Sequence, residues 1–427
     1  MKTKNQNIAL VSLGCPKNTV DSERVAGMLT AGGYRLVSDP NQADIAIVNT
    51  CGFLKSAAQE SIDRILELNE LKKTGKLKKL LVMGCLINRY GNELIQELPE
   101  VDGFFKVNSL NDIAKFLSIT GSINSANRLI STPNHYAYVK ISEGCDMRCT
   151  FCTIPKIRGA HISERVDTIV GESKKLAGQG VKEVILISQD TTWYGHDLDN
   201  GDDLPLLIQS IGKIPDIKWI RVMYAHPGHI TGKFIRLLSE EEKMCKYLDM
   251  PVQHIADPIL KAMRRAGRKT TIYHLIEKLR KNVPGIALRT SLLVGFPGEK
   301  EKHFKELLNF VSDIEFERLG VFGYSPEEGT PAYVRKDHVP VRIIQERLQE
   351  VMKLQEQIAR KKNINSLGKS LPVLIDNFDP ATGWSIGRTE YDAPEIDQRV
   401  VFSRKISPGT MILATIIGAA DHDLFAT

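Results

Sequence analysis

Residues 143–152 read EGCDMRCTFC, and the three cysteines of that loop, Cys145, Cys149 and Cys152, constrain the chain more than any other stretch. Their x3 then x2 spacing crowds three thiolates into a few residues, directly after the apolar run YAYVKI, which predicts a strand. Soft sulfur donors at such close range call for a metal. Structural zinc sites take four protein ligands, and iron-sulfur clusters held wholly by cysteine also take four. Three cysteines therefore leave one metal position for a ligand that is not protein, and an open position implies chemistry.

Three more cysteines recur at regular places. The apolar runs IALVSLGC, ADIAIVNTC and KKLLVMGC end in Cys15, Cys51 and Cys85, and the first two lead into helix-like stretches. Strand followed by helix, repeated, predicts an open parallel α/β sheet. In such sheets ligands collect outside the carboxyl ends of the strands, where the three cysteines would converge. A lone cysteine at a strand end is as readily a small buried hydrophobe; recurrence at equivalent positions favours a shared site. Gly14, Gly52 and Gly84 beside them are expected to let the backbone approach a bulky ligand. Cys245 has no cysteine partner and reads as structural.

The chain of 427 residues is long enough for two to four domains without disulfide staples. Its seven cysteines are an odd number, the start MKTKNQN is polar, and no run nears the roughly 18 apolar residues that span a bilayer. These features predict a cytoplasmic protein with no membrane contact, whose cysteines serve metal or redox chemistry rather than a disulfide scaffold.

The expected order is an N-terminal domain over 1–119, a polar linker over 120–135, a barrel with its connecting helix over 136–366, and a small antiparallel β-barrel over 367–427. In the barrel stretch six strand-like runs alternate with helices, which predicts a partial parallel (β/α)6 barrel. Polar residues gather after those runs: the cysteine loop, Gln189 and Asp190, His226, Gln253 and His254, GFPGE, and SPEEG. The carboxyl face of such a barrel is where active sites sit. His226 and His254 read as strand-end histidines bonded to backbone rather than as metal ligands.

With these motifs in place, the sequence resembles the radical S-adenosylmethionine superfamily, which carries a Cys-x3-Cys-x2-Cys loop on partial barrels. The resemblance implies a 4Fe-4S cluster on Cys145, Cys149 and Cys152, with S-adenosylmethionine on the free iron. Phe151 stands where that superfamily keeps an aromatic residue near the adenine; simple packing of the loop is an equal reading. Gln189, Asp190 and Gln253 are candidate contacts to cofactor or substrate, and Arg289 and Ser291 candidate contacts to the carboxylate and ribose of adenosylmethionine. The whole chain is similar to the methylthiotransferases, which implies a second 4Fe-4S cluster on Cys15, Cys51 and Cys85 and a TRAM-like terminal β-barrel.

Within that family SLGCPKNTVDSE, SQD at 188–190 and GRTEYDAPEID at 387–397 resemble the RimO type, which modifies an aspartate of ribosomal protein S-twelve, possibly within the small ribosomal subunit. The tRNA-modifying MiaB type is the rival. Residues 368–427 hold 5 Lys and Arg against 8 Asp and Glu, in a chain of formal charge +6. A domain gripping RNA would be basic. Glu390, Asp392, Glu395 and Asp397 are therefore expected to form an acidic surface that attracts a basic protein and repels tRNA. A reductase or flavodoxin-type electron donor completes the expected partners. A reading of a different class, a non-catalytic zinc or iron-sulfur module docking on ribosome or RNA, leaves the open metal position unused.

Overall fold

The computed structural model describes residues 6–120 and 128–427. Two compact units emerge: residues 1–132 with 142–148 and 152–162, and residues 133–141 and 149–151 with 163–427. The cysteine loop is thus divided, Cys145 and Cys152 falling in the first unit and Cys149 in the second. This differs from a division at the polar linker. Of that linker, 121–127 lie outside the described residues, while Arg128 pairs with Glu23 at 3.0 Å and Ser131 N–H donates to Glu23 Oε1 at 2.7 Å.

In the first unit five parallel strands, β1 (Asn7–Ser12), β2 (Arg35–Val37), β3 (Ile45–Thr50), β4 (Lys79–Gly84) and β5 (Gly103–Phe105), run in the order β2-β1-β3-β4-β5. Helices α1 (Pro16–Ala31), α2 (Lys55–Lys73), α3 (Cys85–Glu97) and α4 (Leu110–Phe116) cover the faces. Every residue of β3 is buried, as a central parallel strand covered on both sides must be. The order reverses at β1 and β3, the place where doubly wound sheets bind ligands.

The second unit begins with β6 (Tyr136–Lys140). The loop beyond it carries β7 (Ser142–Glu143), α5 (Ile154–Arg158) and β8 (Ile162–Ser163), of which β7 and α5 belong to the first unit. Then α6 (Val166–Gly178), β9 (Glu183–Ile187), α7 (Leu204–Gly212), β10 (Trp219–Val222), α8 (Gly232–Glu240), β11 (Tyr247–Asp249), α9 (Asp257–Met263), α10 (Lys269–Asn282), β12 (Ala287–Val294), α11 (Glu301–Ile314) and β13 (Arg318–Gly323) alternate. Strands β6, β9 and β10 form one parallel sheet and β11, β12 and β13 another, joined by a parallel bridge between Ile220 and Met244. The six strands make the expected partial barrel. A 24-residue helix, α12 (Val341–Ile364), follows.

The terminal β-barrel closes in the order β14-β15-β16-β18-β17. Its strands are β14 (Ser370–Asp379), β15 (Trp384–Thr389), β16 (Arg399–Phe402), β17 (Met411–Ala419) and β18 (Asp423–Ala426). It is not wholly antiparallel as expected, because β16 and β18 pair in parallel to complete the closure.

The expected acidic surface is largely used up, because all four of its carboxylates take partners from the barrel and two of them face arginines. Asp392 is 1% exposed and accepts from Arg318 at 2.7 Å, while Asp397 accepts from Tyr247 Oη at 2.7 Å and from Arg289 at 3.2 Å. Glu390 accepts from Lys246 N–H at 2.9 Å, and Glu395 from Tyr136 Oη at 3.3 Å. Arg388 pairs with Glu183, which also holds Arg221 at 2.7 Å. Tyr136, Glu183, Tyr247 and Arg318 open four of the six barrel strands, and Arg221 and Arg289 stand third in the other two. Residues 388–397 therefore stop that end of the barrel with charge turned inward. A charge count sees the acids and not their partners.

Candidate functional site

In the first unit Cys15 caps the amino end of α1, Cys51 follows β3 directly, and Cys85 opens α3. They end three adjacent strands at one level, since Ser12 pairs with Asn49 and Thr50 with Gly84. The cysteines converge: Cys15 and Cys51 both act electrostatically on the Cys85 thiol. Helix amino ends favour anionic sulfur. Burial opposes it, pushing the Cys85 thiol up to about 11 and Cys51 upward as well. Buried thiols of that kind stay protonated unless a metal draws the proton off. The donor set, three sulfurs at the ends of adjacent strands, fits an iron-sulfur cluster with one open iron.

Buried neutral groups hold the three loops. Asn18 donates through Nδ2 to Leu13 O at 2.7 Å and Thr50 O at 3.0 Å, tying the first loop to the second. Asn49 Nδ2 donates to Asn18 O and Ser22 Oγ, and Thr50 Oγ1 to Met83 O at 2.6 Å. Ser61 Oγ accepts from Cys51 N–H and lies equally near Cys51 O, each at 3.0 Å. The glycines serve this crowding rather than a ligand. Gly84 has φ +104°, and a Cβ there would sit 2.4 Å from Asn49 Oδ1; one on Gly14 would meet Cys51 Cβ at 2.9 Å, and one on Gly52 Leu86 Cα at 2.8 Å.

Arg158, at the end of α5, also reaches this site. Its Nη2 donates to Asn18 Oδ1 at 2.5 Å, its Nη1 to Glu143 at 2.8 Å, and both lie 3.3 Å from Asp21 Oδ2. Sequence reading missed it, for no local pattern joins residues 18, 21, 143 and 158.

The second cysteine set sits on strained backbone. Gly144 has φ +75°, Cys145 N–H donates to Gly159 O at 3.1 Å, and Cys152 Sγ accepts from Ile154 N–H at 3.4 Å. In the second unit Thr150 bonds Met263 O and Ala262 O, and Arg265 Nη1 comes within 3.8 Å of Cys149 Sγ. Three cysteines within eight residues, with an arginine at one sulfur, suit a cluster. Phe151 packs edge-on to Phe296 at 6.5 Å, against the cluster of Ala256, Ile259, Met263 and Tyr324.

At the carboxyl ends of the barrel strands Asp190 accepts from Thr192 Oγ1 at 2.7 Å and shares a hydrogen bond of 2.7 Å with His229 Nδ1. Burial raises the Asp190 pKa, but the His229 hydrogen bond and charge bring it below the usual carboxylate range. Trp193 stacks on His196 at 3.8 Å and lies over His229 at 4.1 Å. His226 Nδ1 accepts from Gly228 N–H, and His254 Nδ1 from Ile255 and Ala256 N–H, as the reading of backbone-bonded histidines expects. Burial lowers both imidazoles to about 3. Gln253 and Tyr224 hold φ of +72° and +62° at this end, strain that sequence does not show and that gathers at functional sites. Ser291 O accepts from Gln253 N–H at 2.9 Å, and Gln189 lies beside Asp190.

Arg289 departs from its expected role. It is the third residue of an eight-residue strand, at the stopped end of the barrel, tied to Asp249 at 3.0 Å and to Asp397. Cys245 is buried, with its thiol pushed far up, and is structural.

Residues 7–106 match the uncharacterized protein family UPF0004, residues 139–311 the radical SAM superfamily, and residues 367–427 the TRAM domain. The ribosomal protein uS12 methylthiotransferase RimO of Phocaeicola vulgatus is 44% identical over 431 residues, covering 99% of each chain. That of Aquifex aeolicus is 44% identical over 420 residues, covering 98% of this chain and 96% of its own. Among solved structures, the radical S-adenosylmethionine methyltransferase TsrM from Kitasatospora setae superposes with a TM-score of 0.57 at 15% identity, over 77% of this chain and 75% of that one. The cobalamin-dependent radical enzyme OxsB gives 0.52 at 14% identity, over 83% of this chain and 56% of the other. These two support the fold alone. Among the described residues no helix is long and apolar enough to cross a membrane.

Proposed function

The chain belongs to the radical S-adenosylmethionine methylthiotransferases of the uS12-modifying RimO family, and from that premise we propose that it replaces one hydrogen on the β-carbon of a uS12 aspartate with a methylthio group. One observation carries this reading: besides the loop of Cys145, Cys149 and Cys152, three adjacent strands bring Cys15, Cys51 and Cys85 to one end of their sheet. A single radical reaction needs one open cluster; sulfur insertion gives the second a use.

When bound, two 4Fe-4S clusters and adenosylmethionine supply a radical able to take hydrogen from unactivated carbon and a sulfur to insert. Cys145, Cys149 and Cys152 would hold one cluster, and Cys15, Cys51 and Cys85 the other. Asn18, Asn49, Thr50 and Ser61 fix the backbone on which the latter three stand. Asp190, kept ionised and oriented by His229 and Thr192, offers an acceptor for an ammonium or hydroxyl of cofactor or substrate. Phe151, Gln189, Gln253 and Ser291 are the further proposed contacts to adenosylmethionine. The domain limits 1–119, 136–366 and 367–427 are proposed as the functional divisions, and a one-electron donor of reductase or flavodoxin type as the source of the electron.

The test is intact-mass analysis of uS12, free and within the small ribosomal subunit, incubated with the reconstituted enzyme, adenosylmethionine, sulfide and reductant. A gain of one methylthio group in place of one hydrogen is expected. An unmodified uS12 alongside a methylthiolated tRNA adenosine overturns the reading.

A further inference from the structure

Arg158 follows Cys152 by six residues, yet its guanidinium lies at the other cysteine set. It is 7% exposed and clasped by Asn18 Oδ1, Asp21 and Glu143, and the same Asn18 Oδ1 lies 3.7 Å from Cys85 Sγ, so guanidinium and thiol share one acceptor. The carboxylates hold the guanidinium from its other sides. Arg158 acts on the Cys85 thiol in the sense that favours its anion. The loop that carries one cysteine set therefore provides a fixed positive charge to the other.

Iron-sulfur potentials are set by net charge, hydrogen bonds to sulfur and exposure to solvent. A buried cation acts on the first of these, and burial keeps water from screening it. Forming a carbon-sulfur bond from a carbon radical and a sulfur lone pair brings three electrons to a bond that uses two. The surplus electron would need an acceptor, and a cluster held by Cys15, Cys51 and Cys85 beside a cation would be the readier one.

We propose that Arg158 is a positioning residue for the cluster on Cys15, Cys51 and Cys85, raising its reduction potential through its charge, held beside the Cys85 sulfur by Asn18. The proposal rests on the two-cluster reading above. Its test uses the full chain with Cys145, Cys149 and Cys152 all changed to Ala, reconstituted anaerobically with iron and sulfide. In this background Arg158→Gln should lower the equilibrium constant for one-electron reduction about tenfold, a shift of about 59 mV in a potentiometric titration read by electron paramagnetic resonance. Arg158→Lys should stay closer to the parent. Glu143→Gln, which removes a carboxylate from the same guanidinium, should shift the potential the opposite way. That reversal separates electrostatics from general damage, and it decides the matter alone if Arg158→Gln does not load iron. An unchanged potential, or shifts of one sign in both variants, overturns the proposal and leaves the two-cluster reading standing. A parent that takes up no iron overturns both.

Discussion

The two cysteine sets hold the same ligands by opposite means. Cys145, Cys149 and Cys152 lie within eight residues of one loop, whereas Cys15, Cys51 and Cys85 span 71 residues and meet only because three parallel strands end together. The first set is a local device on a barrel whose strand ends carry buried titratable groups: Asp190, His226, His254 and Glu299. The second is a product of the whole sheet, framed by neutral amides and hydroxyls and by a buried guanidinium with its two carboxylates. The difference teaches where each is vulnerable: one to changes in its loop, the other to anything that shifts the strand ends.

The largest effects should come from the cysteines. Cys149→Ser is expected to abolish both adenosylmethionine cleavage and methylthiolation, while Cys15→Ser should abolish methylthiolation and spare cleavage, each lowering iron from about eight to about four per chain. Counting 5′-deoxyadenosine beside modified uS12 checks both, and methylthiolation by Cys15→Ser would remove the distinction between the sets. Next come the glycines beneath them. Gly84→Ala meets Asn49 Oδ1 and Gly144→Ala would place a Cβ 1.9 Å from Ala160 O, each at positive φ. Each should cost about 1–3 kcal/mol in strain alone, with the clash in addition, read from urea unfolding. Gly84→Ala should deplete the iron held by Cys15, Cys51 and Cys85, and Gly144→Ala that of the other set.

A smaller change distinguishes framing from ligation. Ser61→Ala removes the hydroxyl that bonds Cys51 backbone and is expected to cost about 1–3 kcal/mol with both clusters still loading. Loss of iron instead would make Ser61 part of the cluster's immediate support.

The smallest effect concerns pH and belongs to the barrel. Burial raises Glu299 from an ordinary 4.5 to about 7 and lowers His254 from 6.5 to about 3. Between pH 6.5 and 4.5 the folded chain keeps the Glu299 proton that the unfolded chain has released, and refuses the His254 proton that the unfolded chain has bound. Acid therefore strengthens folding through Glu299 and weakens it through His254, and the two oppose each other. Relative to the parent, Glu299→Gln should lose stability on acidification below pH 6.5 by up to about 1.4 kcal/mol per unit, and His254→Gln should gain by a similar slope. Chemical unfolding at pH 7 and pH 5 reads both signs; identical slopes in the two variants would refute this account.

Much of this was legible because the signals were local or periodic. The loop of Cys145 announces itself, and the strand-end recurrence of Cys15, Cys51 and Cys85 gives the sheet and its site together. What escaped reading depends on pairings across long stretches. Arg158 finds Asn18 and Asp21 some 140 residues earlier. Asp392 and Asp397 find Arg318 and Arg289 about as far away as 108 residues, so their charge looked free when it was committed. The four-residue β18 has too little pattern to stand out, and its parallel pairing with β16 follows from closure of the barrel rather than from any residue in it.

That inward commitment of charge makes the terminal β-barrel a poor candidate for exchange. A more basic barrel from an RNA-binding relative, grafted in place of residues 367–427, would take Asp392 from Arg318 and leave Arg289 with Asp249 alone, and an orphaned buried charge costs about 3–5 kcal/mol. Moving the tail between substrates thus requires rewriting the foot of the catalytic barrel as well.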